Sequence, residues 1–209
     1  MAGFIRFEVS TDRVAVFIDY QNAYSSARRA YFHGRDPSPR GQFDPLTLAN
    51  HLAEDSPFDR ALHRVRIYRG RPEVTKEPRA YAANRRQVAR WQRAGCEVVS
   101  RVLRYPRDWP DEKAVEKGID VQLAIDFVMM ALRGEYDVGI LFSTDTDLEP
   151  ALEAVTSMRG PVRAEVAAWN APDRPSPRLS IRGAKVWCHW IQPETYHAHR
   201  DDTDYNVAG

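Results

Sequence analysis

Apolar residues in this chain come in short runs that stop abruptly at acids. Arg13-Val14-Ala15-Val16-Phe17-Ile18 has the continuous pattern of a strand buried on both faces, and it ends at Asp19-Tyr20-Gln21-Asn22. Residues 62–68 alternate instead, with Val65 and Ile67 on one face and Arg64, Arg66 and Tyr68 on the other. That predicts a strand with one face wet or near an edge, followed by the loop Arg69-Gly70-Arg71-Pro72. Further strands are predicted over 96–103, 137–142, 162–169 and 184–190. Helical spacing fills the intervals: 23–32, then 44–53 with Asp44 as cap and Pro45 at the first position, then 76–94 with Tyr81, Val88 and Trp91 as core stripe. Residues 119–132 are apolar almost all round except at Asp120, Gln122 and Asp126, which predicts a helix buried on two sides. The helix 148–158 carries Pro150 in its first turn. Strands alternating with helices predict an α/β fold of three layers, α/β/α, around a mainly parallel central sheet.

A chain of 209 residues, 43% apolar, is long enough for one such domain. Its expected division is a lead-in over 1–12, a single domain over 13–195 and a polar, loose tail over 196–209. The tail includes the pair His197 and His199, read as solvated for want of a third ligand. A net charge of +1, from 30 basic and 29 acidic residues, announces no polyanionic partner, so attraction must come from local clusters. Only four of the basic residues are lysine, and arginine is the better fork for phosphate. Cys96 and Cys188 have no framework spacing and read as reduced structural thiols. Without a secretory pattern or a long apolar run, the expectation is a cytoplasmic protein with no membrane partner; a homo-oligomer stays open.

The chemistry concentrates where strands end. Asp19 and Asp145 close two strands pointing the same way, and Asp120 opens a helix running back against them, so all three are expected on one edge, with Asp147 completing the cluster. Gathered carboxylates repel one another and raise each other's pKa unless a cation lies between them. Oxygen-only ligation suits Mg²⁺ or Mn²⁺ held by Asp19, Asp120 and Asp145; zinc would want His or Cys. The bland alternative is that acids at strand ends and helix starts are ordinary caps. Asn22 could orient a ligand or cap the first helix, and Ser143 and Thr144 are read as hydrogen-bond partners of the acids. Asp126 points about 120° away from Asp120 on a helix and reads as a structural acid.

These motifs resemble the NYN domain family, in particular its LabA-like branch within the PIN-like nucleases. The likeness lies in a strand ending Asp19-Tyr20-Gln21-Asn22, in Lys117-Gly118-Ile119-Asp120 followed by Asp126, and in Ser143-Thr144-Asp145-Thr146-Asp147-Leu148, over about residues 13–170. Tyr20 and Thr144 stand where small glycines are usual, adding bulk at the edge. The resemblance implies a PIN-like (Rossmann-like) fold, a divalent-metal site and hydrolysis of RNA phosphodiesters, with Asp19, Asp120, Asp145 and Asp147 as catalytic residues. Lys117 would steady the phosphate, Arg69 and Arg71, with Arg85 and Arg86, would guide a single strand of RNA, and Tyr20 could stack on a base. Tyr24 reads more as core. Two other classes remain: a catalytically silent RNA- or protein-binding module on the same fold, and a haloacid-dehalogenase-like phosphatase, against which Gln21 stands where a second Asp is required.

Overall fold

The computed structural model of the protein describes residues 11–32, 39–173 and 176–207. Strands β1 (Asp12–Asp19), β2 (Arg60–Arg71), β3 (Glu97–Val102), β4 (Val138–Phe142), β5 (Arg163–Trp169) and β6 (Cys188–Ile191) form one sheet. Its order is β3-β2-β1-β4-β5-β6, and every neighbouring pair is parallel. Helices α1 (Tyr20–Tyr31), α2 (Pro45–Glu54), α3 (Pro78–Arg93), α4 (Ile119–Leu132), α5 (Glu149–Thr156) and α6 (Pro193–His199) lie outside it. The chain winds from β1 outward to β3, returns to lay β4 on the other side of β1, and winds outward again to β6. Ligands of open parallel sheets bind in the crevice where the strand order reverses, at the carboxyl ends of the strands. Here that crevice lies between the ends of β1 and β4.

Both faces of the central strands are dry, which is why β1 and β4 read as unbroken apolar runs. Val16, Ile18, Ile140 and Phe142 pack towards α1, α2 and Trp91 of α3, with Tyr196 of α6 joining them. Phe17, Leu141 and Val166 pack on the opposite face against α4 and α5. There Phe17 meets the rings of Phe127 and Tyr136 at 5.1 and 5.5 Å. Full burial of such a side chain contributes roughly 1.5–3 kcal/mol.

Several expectations are corrected. β2 is longer than expected: it runs through Arg69-Gly70-Arg71 and lies beside the edge strand β3, the near-edge place its alternation allowed, and its polar face carries a network of ion pairs. Arg66 reaches Asp126 and Glu97, both at 2.8 Å, while the Tyr68 hydroxyl donates to Asp126 at 2.9 Å. Asp126 thus accepts from side chains of β2, in keeping with the structural role its helical phase implied. Helix α1 begins at Tyr20 because Asp19 caps it, and a 3-10 turn, Thr146–Leu148, precedes α5. The last strand is confined to β6.

The helix α4 has the predicted bounds but is buried on one side only; Val121, Ile125, Met129 and Leu132 are exposed, since an outer-layer helix faces the sheet along one stripe. On α3 the buried residues are Asn84, Gln87 and Trp91, so two amides occupy a face expected to be apolar. The stretch read as a loose tail contains α6 and then packs back: Asp44 N–H donates to His199 O at 2.8 Å, Asp201 N–H to Gln42 O at 3.1 Å, and Tyr205 is buried. The lead-in up to residue 10, and Arg35 and Pro37 of the loop after α1, lie outside the described residues. Among the described residues no helix is long and apolar enough to cross a membrane.

Candidate active site at the carboxyl edge

Asp19 is the last residue of β1 and the N-cap of α1, where its Oδ1 accepts from the Asn22 backbone N–H at 3.2 Å. Its Oδ2 accepts from the Ser143 hydroxyl at 3.1 Å, and the same Ser143 oxygen accepts from the Asp145 N–H at 3.1 Å. One serine thus ties the ends of β1 and β4 together. Asn22 works in parallel: its side-chain oxygen accepts from the Thr144 N–H at 2.9 Å and from the Thr144 hydroxyl at 3.0 Å. Asn22, Ser143 and Thr144 accordingly hold the two strand ends in register. Asp145 caps the 3-10 turn by accepting from the Asp147 N–H at 3.1 Å.

The third wall comes from the segment before α4. Arg104 and Val115 form an antiparallel bridge that folds residues 104–115 into a hairpin-like excursion and delivers Glu116-Lys117-Gly118 to the sheet edge. Gly118, with φ +73°, makes the left-handed turn that starts α4 and so places Asp120 in its first turn. Glu116 turns inward and accepts from the Gly70 N–H at the end of β2. A side chain on Gly70 would collide with Glu116, its Cβ lying 2.7 Å from Oε1.

Asp19, Glu116, Lys117, Asp120 and Asp145 all line one cleft of about 280 Å³. Asp147 does not: it is exposed and contributes its backbone N–H. Glu116 was missed by sequence reasoning; its position directly ahead of Lys117 was the only signal. Both strand-end acids are caps, as the bland reading held. A cap, however, needs only an acceptor, and the charge is surplus. Burial, with Glu116 and Asp145 nearby, pushes Asp19 up to about 6 against the hydrogen bonds from Asn22 and Ser143. Burial also raises Glu116, with Asp120 adding to it and the Gly70 N–H opposing.

Four carboxylates against one lysine at the rim, with Arg69 acting on Glu116, leave a surplus of negative charge among oxygen donors, which fits a hydrated divalent cation of the Mg²⁺ or Mn²⁺ kind. Among the described residues no three His, Cys, Asp or Glu side chains form a ready-made ligand set, so water would complete such a shell. Arg69 faces the other side of the sheet, where its guanidinium lies 5.2 Å from the Tyr20 ring, and Arg71 lines neither that space nor the acid cleft. Arg85 is exposed, and Arg86 is spent on the Tyr205 carbonyl at 2.9 Å.

Comparison with known proteins places these motifs. The family described as the NYN domain matches residues 13–182. No curated protein matches the chain. A crystal structure of a Vibrio parahaemolyticus protein of unknown function is similar at 21% identity, covering 75% of this chain and 81% of that one, with a TM-score of 0.48. A likeness of that size carries no argument about function.

Proposed function

Since this chain belongs to the NYN domain family, which is PIN-like, we propose that it is a divalent-metal-dependent ribonuclease, of the LabA-like branch, that hydrolyses phosphodiester bonds of single-stranded RNA. The observation that carries the reading is the cleft at the strand-order reversal, where Asp19, Glu116, Asp120 and Asp145 meet with Lys117 at the rim. The motifs Lys117-Gly118-Ile119-Asp120 and Ser143-Thr144-Asp145 support the branch.

In this reading Asp19, Asp120 and Asp145 hold Mg²⁺ or Mn²⁺, directly or through water, and Glu116 adds a fourth carboxylate. The cation, when bound, supplies hydroxide near neutral pH and neutralises charge developing on the phosphate. The protein's own part is positional. Ser143 and Asn22 fix the orientation of the Asp19 carboxylate, and the exposed ammonium of Lys117 attracts a phosphate oxygen to the rim. The phosphatase alternative gains no support, because Gln21 bonds to Ser25 at 3.4 Å and lines the space on the Tyr20 side.

The test is cleavage of single-stranded RNA in Mn²⁺, with and without EDTA. Asp145→Asn removes one negative ligand, so cleavage should fall by about 100-fold or more while RNA affinity in EDTA stays level or rises. A wild-type protein that binds RNA and never cuts it in Mg²⁺ or Mn²⁺ is a binding module, and one that hydrolyses only small phosphomonoesters is a phosphatase.

A further inference from the structure

Beside the acid cleft, on the α1 and α3 side of the sheet, lies a second cavity of about 220 Å³ whose walls include Tyr20, Tyr24, Arg69, Pro72 and Asn84. That is below the roughly 300–1,000 Å³ typical of drug-sized ligands and suits one flat ring system. Its polar groups are arranged with donors left over. Arg69 makes no ion pair among the described residues; one Nη donates to the Gln87 side-chain oxygen at 2.5 Å, and Nε is buried with no partner. The guanidinium is held by rings instead, 5.2 Å from Tyr20 and 5.3 Å from Trp91. Gln87 is fully used, since its amide nitrogen donates to the Tyr20 hydroxyl at 3.0 Å and to Gln42 at 2.8 Å. Its role is to lock Arg69. Asn84 donates to the Gly70 carbonyl at 3.3 Å, and its own side-chain oxygen accepts nothing among the described residues.

Glu116 supports the Arg69 cation without an ion pair and burial still works against it, so the hydrogens left over on its Nη atoms suit a ligand that brings acceptors. The half-buried Tyr24 ring, stacked at 6.4 Å on Tyr20 and with the Arg28 guanidinium 5.6 Å from its centre, adds aromatic surface to the cavity wall. We infer that this cavity binds one RNA base, with guanine preferred: its O6 and N7 acceptors meet Arg69, and a ring N–H or amino group meets the Asn84 oxygen. Adenine would turn an amino group towards the arginine. The two sites share backbone, for Asp19 and Tyr20 are adjacent, as are Arg69 and Gly70. Consecutive Cα atoms are about 3.8 Å apart, so a strand with a phosphate at the acids can place a neighbouring base here. This deepens the ribonuclease reading and rests on it for the nature of the ligand.

The experiment is titration of the four ribonucleosides, phosphate-free and in EDTA, with the side-chain amide signals of Asn84 and Gln87 followed by NMR. Guanosine should bind at least tenfold more tightly than the other three and shift both signals. Arg69→Met and Asn84→Ala should each weaken guanosine at least tenfold. Arg69→Met leaves the buried Gln87 oxygen without its donor, so some fall in melting temperature is expected, and amide signals away from the cavity that stay in place show that the fold is kept. No nucleoside binding up to millimolar concentration, binding without base preference, or inorganic phosphate displacing guanosine would each overturn the proposal. Asp145→Asn should leave guanosine affinity unchanged. Guanosine binding through Arg69 without RNA cleavage sustains the pocket and removes the nuclease reading; cleavage without guanosine binding does the reverse.

Discussion

At the amino edge of the sheet Arg13 meets Asp137 at 2.9 Å, Arg163 meets Asp12, and Arg60 meets Glu165 at 2.6 Å with His189 on the other oxygen at 2.7 Å, whereas at the carboxyl edge Asp19, Glu116, Asp120 and Asp145 share a cleft with Lys117 exposed at its rim. The same residue types titrate in opposite directions. Hydrogen bonds from Arg13 hold Asp137 low. Burial works to raise Glu165, yet His189 and Arg60 outweigh it and the group ends low. Asp19, buried among other acids, rises to about 6. Acids that hold the fold together arrive with partners. Where no basic partner is built in, as at Asp19, the fold bears the repulsion, and in the proposed function a cation would relieve it.

The largest test lies at the paired edge. Glu165→Ala leaves Arg60, whose side chain is 2% exposed, without its carboxylate. Breaking a buried pair this way costs about 3–5 kcal/mol. At roughly 2–4 °C per kcal/mol for a domain of this size, the melting temperature should fall by about 6–20 °C. A fall of under about 2 °C would mean that the amino edge is not held by its pairs.

At the other edge the sign reverses. Asp19 has its folded pKa raised from 3.8 to about 6, so its ionised form opposes folding above that value, and the opposition fades as pH falls towards 4. Asp19→Asn keeps an acceptor for the cap and removes the charge, so in EDTA at pH 7.5 it should stabilise the protein by about 1–3 kcal/mol. Thermal melting checks this, and added Mn²⁺ should raise the wild-type melting temperature while leaving the variant's almost unmoved. Destabilisation by Asp19→Asn in EDTA would show that the acid serves the fold more than a ligand.

Asp126 lies between these cases. It is an acid on the helix that opens at the cleft, yet it accepts from Arg66, Tyr68 and Gln122. Asp126→Ala should cost about 1–3 kcal/mol and leave RNA cleavage in Mn²⁺ within a few-fold of wild type, since it strands a buried tyrosine hydroxyl and an arginine rather than a ligand. An unchanged melting temperature with lost cleavage would move it to the site.

What the sequence discloses and what it hides follow the same division. Asp19 and Asp145 were legible because a buried strand announces its end by an acid after an apolar run. The bounds of α4 were legible because Gly118 and Gly134 flank a single periodic stretch. Glu116 was hidden because its place depends on the Arg104–Val115 bridge and on Gly70, a contact 46 residues away. The second cavity was hidden because a core stripe sought among apolar residues, Tyr81, Val88 and Trp91, passes over Asn84 and Gln87; their spacing with Trp91 along one helix face is the signal of a buried amide stripe. The alternation of β2 left a wet face and a place near an edge both open, and β2 does lie beside the edge strand; alternation distinguishes polar from apolar and is silent on whether the polar side meets water or Asp126.

The smallest effect distinguishes the edges most cleanly because it is a matter of sign. Arg13 and Asp137 are partly exposed, with side chains 44% and 28% accessible, so the pair is worth below about 1 kcal/mol after solvent screening. Asp137 is held below its usual value, so its contribution is present above the unfolded pKa of 3.8 and is lost as pH falls through the lower folded value. Asp137→Asn should therefore lower the melting temperature slightly at pH 7, by at most about 2–4 °C, and by less as the pH approaches 3. Asp19→Asn should raise it at pH 7, with a gain that shrinks from pH 6 down to 4. Melting both variants in EDTA across pH 3–8 gives two difference curves of opposite sign. Curves of the same sign would mean that both carboxylates answer to general acid unfolding, and that the two edges do not differ in kind.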